Sequence, residues 1–458
     1  MRRGALTVFV GALACKSPAE LPEPSEIHLL SNTPYGSAVY VSSVWDVVGI
    51  NEAISVPSVL AEKRSMGLSG RVEHWRQDLD LLGKLGVRKI RVNTATSPHL
   101  SHWAVGKRAD QYARSDAYFQ LLAGQQIEPI VMIGPWPGNR TSQYTAAYVP
   151  EDTVAYQAYV QQVVERYDGD GEADAFLMER GVRFWEVDNE PDLHHRAPVG
   201  DKSSPDFLTP EQYAEVYALT AEAVRAADAE AVVLNGGLFD TARPSGVAYF
   251  RAVEAALAAR EVPSFDALSV HAYFQDQDAS DFFKAMDAAA QMADGRPIFV
   301  TETGAPSDGR KAWISEEWQA HMLALVLGEA LARGIEGVYW QGLVGPPPGP
   351  KRAKGSPGGF ASHPLHVATR DGDAARAKTG AAFLASWLKG VQDVPLSKVR
   401  SVALQTGRAV SLGDAGVFLY FGAATVPAGA QVETFDLGMM EDGVVSAPAL
   451  ISGMSLQN

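Results

Sequence analysis

A helical pattern, a glycine, and then a short apolar strand recur in that order along this chain, and the alternation restricts its possible folds more than any other feature. In HWRQDLDLLGKLGVRKIRVNT (74–94), Trp75, Leu79, Leu82 and Leu85 fall on one helical face, Gly86 stops the helix, and 87–92 reads as a strand. DAYFQLLAGQQIEPIVMIGPWP (116–137) repeats the unit, with Gly124 as the stop and a strand over 128–133. A helix at 154–167 leads through the turn DGDG to a strand at 184–189. TPEQYAEVYALTAEAVRAADAEAVVLNGG (209–237) opens with a Thr209 cap and Pro210 in the first turn, then gives a strand at 231–234. Further strands are expected at 266–271, 297–302 and, after a helix over 315–333, at 335–340. AVYVSSV at 38–44 supplies an eighth at the front.

Eight strands separated by helices predict an α/β fold, a (β/α)8 barrel of the triosephosphate isomerase type over 36–395. A doubly wound open sheet is the competitor. It ranks second because no G-x-G-x-x-G follows the first strand, and NGGLF at 235–239 is the nearest glycine-rich loop. The helix expected over 375–388 closes the barrel, preceded by a Pro/Gly-rich loop at 342–366 that overhangs the strand ends. Beyond 396, VRSVALQTG, AGVFLYFG and AQVETFDLG alternate in the manner of strands and predict a small β appendage over 396–458, into which EIHLLS (26–31) can pair.

The N-terminal residues have a different character. Arg2 and Arg3 precede an apolar run, Ala5 to Ala14, that ends at Cys15, the one cysteine of the chain. The run is shorter than the roughly 20 residues of a spanning helix and has the make-up of a secretory signal. Small residues before a lone cysteine resemble a bacterial lipobox, which implies lipidation at Cys15 and anchoring at the cell envelope; a plain cleaved signal is the alternative. Residues 16–35, rich in Pro, Ser and Glu, read as a tether. Removing 1–14 deletes two arginines and takes the formal charge from −15 to −17, which speaks against nucleic acid as a partner. A single cysteine excludes an internal disulfide.

Two strands end in an acid. FWEVDNEPD (184–192) and PIFVTETGAP (297–306) each run apolar residues into a glutamate, Glu190 or Glu302, and then stop at Pro or Gly. A charge at the end of a buried strand is either paired or working. Two carboxyls on strands four and seven meet at the barrel mouth, and such a pair suits glycosidic bond cleavage: one acid protonates the leaving oxygen, one carboxylate attacks.

Asn189-Glu190-Pro191 on strand four with Glu302 on strand seven resembles glycoside hydrolase clan A, closest in pattern to families 39 and 5. The resemblance spans about residues 36–390. It implies a retaining β-glycosidase without cofactor or metal, acting on a carbohydrate, with Glu190 as acid/base and Glu302 as nucleophile. It also implies supporting roles: Tyr273 of the H-A-Y at 271–273 bonding Glu302, His271 beside it, Arg91 next to the same carboxylate, Asn189 on the sugar 2-hydroxyl, and Trp340 and Trp136 as sugar platforms. Asp188 stands where family 39 has Trp, and TETGAP is nearer families 17 and 53. Strict alternation would put Asp188 on the same face as Glu190, as a partner or as the acid itself. The alternatives are a carbohydrate-binding lipoprotein on a non-catalytic barrel and a transglycosylase using the same pair.

Overall fold

The computed structural model describes residues 6–9, 25–26, 39–51, 68–92, 112–135, 149–178, 180–193, 208–274, 279–307, 314–345, 364–368, 375–403, 407–426, 431–433, 440–441, 444–446 and 448–452. Cys15, Trp136 and most of the 342–366 loop lie outside them.

Eight parallel strands form the barrel: β1 (Val48–Asn51), β2 (Lys89–Val92), β3 (Glu128–Ile133), β4 (Phe184–Val187), β5 (Val232–Asn235), β6 (Leu268–Tyr273), β7 (Ile298–Gly304) and β8 (Gly337–Gln341). Their order is β5-β4-β3-β2-β1-β8-β7-β6, and the bridges Leu234↔Ala267 and Leu238↔Val270 close β5 on β6. Helices α1 (Leu68–Leu85), α2 (Tyr112–Gly124), α3 (Thr153–Glu165), α4 (Pro210–Ala227), α5 (Pro244–Ala259), α6 (Ser280–Ala293), α7 (Glu316–Arg333) and α8 (Thr379–Val391) follow the strands in turn. The architecture is a (β/α)8 barrel with a small antiparallel appendage. At the start of α4 the Thr209 hydroxyl accepts from Gln212 N while the Gln212 side chain accepts from Thr209 N, a reciprocal cap worth about 1 kcal/mol.

Side chains fill the lower barrel. Ile130, Phe184, Val232, Leu234, Ala267, Phe299 and Tyr339 pack inside it, and each large apolar group taken fully from water contributes about 1.5–3 kcal/mol. The opposite faces of the same strands pack against the helices. With its lower half plugged by hydrocarbon, the barrel leaves polar chemistry only the carboxyl ends of the strands.

The first strand is not 38–44 but 48–51. Val39 N and Tyr40 N donate to the Glu336 carboxylate (2.8 and 2.7 Å), and Val44 N donates to Val394 O. These donors are spent across the barrel floor and none enters the parallel ladder, so the segment closes the bottom, with the Tyr40 ring edge-on to Phe184. A 3-10 turn at Trp45–Val47 then redirects the chain into β1. The closing helix likewise starts later than expected, because Ala375–Ala377 pairs antiparallel with His366–Ala368, which in turn pairs with Val344–Gly345.

The appendage is a meander of 399–403, 407–412 and 417–426, joined by 449–452. Ser25–Glu26 runs parallel to Ala424–Thr425, and Leu6–Phe9 pairs antiparallel with Ala423–Val426. It is fastened to α7 through Glu329, a buried carboxylate that accepts from Arg333 (2.8 Å), Arg408 (2.7 Å) and Tyr420 (3.0 Å). The Tyr420 ring sits so close over Gly328 that a Cβ there would lie 2.1 Å from it. Among the described residues no helix is long and apolar enough to cross a membrane.

Burial holds His366 down at about 4, although its Nδ1 bonds Leu343 O. Between pH 6.5 and 4 the unfolded chain therefore binds a proton that the folded chain refuses, and stability falls as pH falls through that window, by up to about 3 kcal/mol. Urea unfolding at pH 7 and pH 4.5 should show this loss in the parent protein and a smaller one in His366→Gln.

Candidate active site

The chain leaves β4 at Val187 and turns sharply. Asp188 and Glu190 both take left-handed backbone angles, φ 70° and 48°. This turn breaks the strand alternation, so Asp188 does not share a face with Glu190; its charge acts on Tyr213 and Tyr249. Such angles are uncommon for residues other than glycine and are held here by neighbours. Glu190 N donates to Gly237 O (3.1 Å), and the Asp192 carboxylate accepts from Phe239 N and Asp240 N (2.8 and 2.7 Å). NGGLF is therefore the brace of the Glu190 turn. Its glycines are required: a Cβ on Gly236 would stand 2.6 Å from Val187 O, and one on Gly237 2.1 Å from His271 Nε2.

Glu302 projects inward near the end of β7, where β7 carries one extra residue between its pairings with Val270 and His271 and so brings Glu302 opposite His271. Arg91 Nη1 donates to Glu302 Oε1 (2.6 Å) and Tyr273 Oη to Glu302 Oε2 (2.7 Å). Arg91 is completely buried and uses its other donors on Glu186 (Nε, 2.5 Å) and Asn189 Oδ1 (Nη2, 2.8 Å). Arg91 thus takes up the side-chain oxygen of Asn189. His271 Nδ1 lies 2.8 Å from Glu190 Oε1 and 3.7 Å from Glu302 Oε2. An oxygen of Glu190, a ring nitrogen of His271 and an oxygen of Glu302 all fall within 4.8 Å of one another. These are also the ligand types of a metal trio, but Arg91 and Tyr273 already engage both oxygens of Glu302.

The electrostatics separate the two acids. For Glu190 burial dominates and raises the carboxyl above the usual range; the His271 bond opposes this and the Glu302 charge adds to it. Burial pushes Glu302 the same way. There the facing His271 and Arg91 charges and the bonds from Tyr273 and Arg91 outweigh it, and the carboxyl lies below its ordinary value. His271 is raised in spite of its burial by the two carboxylates beside it. The surroundings thus push the two carboxyls in opposite directions, Glu190 up and Glu302 down.

Arg91, Asn189, Glu190, His271, Tyr273 and Glu302 thus share one pocket. Trp340 does not join them. It stands opposite Ile50, between Tyr339 and Gln341 along β8, and since Tyr339 faces the barrel interior, alternation turns Trp340 into the layer beneath the helices, where it is 1% exposed. Three residues of the site escaped sequence reasoning. Glu186 lies beneath Arg91; Asn51 and Gln341 end β1 and β8 and bond each other, with Gln341 Oε1 3.2 Å from Tyr273 Oη and Asn51 Oδ1 3.4 Å from Arg91. Glu186 was visible as a charge within the apolar FWEV. Asn51 and Gln341 had no local signal beyond their place at strand ends.

No family model matches the sequence, and no curated protein matches it. Solved structures do match in fold, (β/α)8 barrels among the glycoside hydrolases being similar over most of the chain. A family 39 glycoside hydrolase from Bacteroides cellulosilyticus WH2 superposes with a TM-score of 0.54 at 13% identity, over 89% of this chain and 80% of that one. A family 51 α-L-arabinofuranosidase from Bifidobacterium longum gives 0.53 at 14%, over 89% and 82%. A glucosidase from Croceicoccus marinus gives 0.52 at 15%, over 93% and 84%.

Proposed function

We propose that this chain is a retaining glycoside hydrolase that cleaves β-linked oligo- or polysaccharides by double displacement. The observation that carries this reading is the pairing of two carboxyls within 4.8 Å, one buried toward its protonated form and one held ionised by Arg91, His271 and Tyr273. Carboxyl groups about 5–5.5 Å apart leave no room for a water between acid and sugar and so favour a glycosyl-enzyme intermediate. Glu302 attacks the anomeric carbon, and Glu190 protonates the departing oxygen, then deprotonates the incoming water. The Asn189 amide can donate to the sugar 2-hydroxyl, a bond that strengthens as positive charge develops on the ring.

Proton NMR of the first-formed product from an aryl β-glycoside tests the mechanism: the β-anomer is expected, and the α-anomer would overturn it. The panel should hold pentosides and hexosides, since the solved neighbours include a glucosidase and an arabinofuranosidase. Glu190→Gln should slow cleavage of substrates with poor leaving groups by about 10²–10⁴-fold and spare the glycosylation step for a dinitrophenyl glycoside, which needs no proton. Comparing kcat/KM across a leaving-group series reads this directly.

We also propose export with lipidation at Cys15, supported by Arg2, Arg3 and the apolar run before the cysteine. Cleavage there would remove the 6–9 strand from the appendage sheet. Intact mass of the protein isolated from its own cells tests it.

A further inference from the structure

Beneath the pocket lies a carboxylate that the mechanism does not use. Glu186 is completely buried and engages three strands besides its own. Its Oε2 takes Arg91 Nε of β2, while the hydroxyls of Ser269 (β6) and Thr301 (β7) meet on Oε1 at 2.6 and 3.0 Å. Every strand it touches carries a site residue at or just beyond the contact: Arg91 itself, His271 two positions past Ser269, Glu302 next to Thr301, and Glu190 four past Glu186. Burying an ionised carboxylate is costly, and hydrophobic packing would close a barrel as well. What hydrocarbon could not supply is a second claim on the guanidinium. Arg91 carries one positive charge between two carboxylates, with Nε committed to Glu186 and Nη1 to Glu302.

We propose that Glu186 is a positioning residue for the reaction: it shares Arg91 with Glu302 and so sets how much of that charge the nucleophile carries. The proposal rests on the assignment of Glu302 as nucleophile. A carboxylate bound too tightly by a cation attacks poorly; one left alone in a buried site takes up a proton and does not attack. Sharing holds Glu302 between these limits. The charged and titratable groups facing Glu302 are Arg91, His271, Tyr273 and Glu190, and those facing Glu186 are Arg91 and, from below, Tyr339.

The test is the titration of the Glu302 side-chain carboxyl, followed by carbon-13 NMR and assigned with Glu302→Gln, beside the pH dependence of kcat/KM on an aryl β-glycoside. Glu186→Gln, nearly isosteric, gives Glu302 all of Arg91: its titration and the acid limb of the rate profile should fall by about one pH unit, with plateau kcat/KM down about tenfold. Ser269→Ala strips a donor from Glu186 and makes it compete harder for Arg91, so the same two readouts should move upward by a smaller amount. A purely structural Glu186 would lower activity in both variants without moving either titration, and that result overturns the proposal. Should Glu186→Gln not fold, Ser269→Ala and Thr301→Val decide by the sign of the shift. A parent protein inactive on every glycoside would sink the glycosidase reading, while the NMR titration would still judge Glu186.

Discussion

Glu302→Ala should lower kcat/KM on an aryl β-glycoside by about 10⁴-fold or more, the scale seen when a nucleophile is deleted, and sodium azide should restore part of the rate. The truncation opens space where the carboxylate stood, and Arg91 remains to hold an anion there. Stereochemistry makes the result diagnostic. Azide in the place of Glu302 attacks from the nucleophile's side and gives the α-glycosyl azide. In Glu190→Ala it attacks the glycosyl-enzyme from the opposite face and gives the β-azide. NMR of the two products therefore assigns both roles independently, and exchanged configurations would reverse the assignment. With both groups intact the rate should be bell-shaped in pH: it falls in acid as Glu302 gains its proton and in base as Glu190 loses its own, with the two apparent values belonging to the coupled pair.

Arg91→Met should be the most damaging single change to both folding and activity. The side chain is completely buried and serves Glu186 and Glu302 together. Deleting the cation takes from Glu186 its ion-pair partner and leaves Glu302 with His271 alone, at a cost of about 3–5 kcal/mol. The chain can limit that cost by protonating one of them. Glu302 should then titrate higher, and activity near neutral pH should drop with it. Arg91→Lys keeps the charge but loses the planar fork that reaches four acceptors at once. It should recover much of the stability and little of the rate. Denaturant unfolding alongside kcat/KM separates the two losses; equal recovery of both in the lysine variant would show that charge alone matters.

The barrel was legible because each of its units announces itself locally: an amphipathic stretch, a stop, and an apolar run. Seven of the eight strands fall within a few residues of their expected places. The first was misplaced because AVYVSSV carries as strong a strand pattern as VVGIN. What tells them apart is where the N–H groups go, and the Glu336 carboxylate that claims two of them is nearly 300 residues away. The two glutamates were legible from the apolar runs before them. Asp188 was misjudged because alternation was carried one residue past the end of β4, into a turn with positive φ. Glu186 was overlooked for a different reason: its partners on β6 and β7 are 83 and 115 residues further on, and only a closed barrel brings them together.

The Glu329 fastening bears on how far this molecule can be cut down. A chain ending at the last barrel helix would strip that carboxylate of Arg408 and Tyr420, leave a bare patch along α7 where an aromatic ring had lain against Gly328, and leave the acid Arg333 as its one remaining guanidinium. The appendage is thus a wall of the barrel, not a passenger. Anyone seeking a minimal version should expect insoluble material, and the two halves should melt in a single transition.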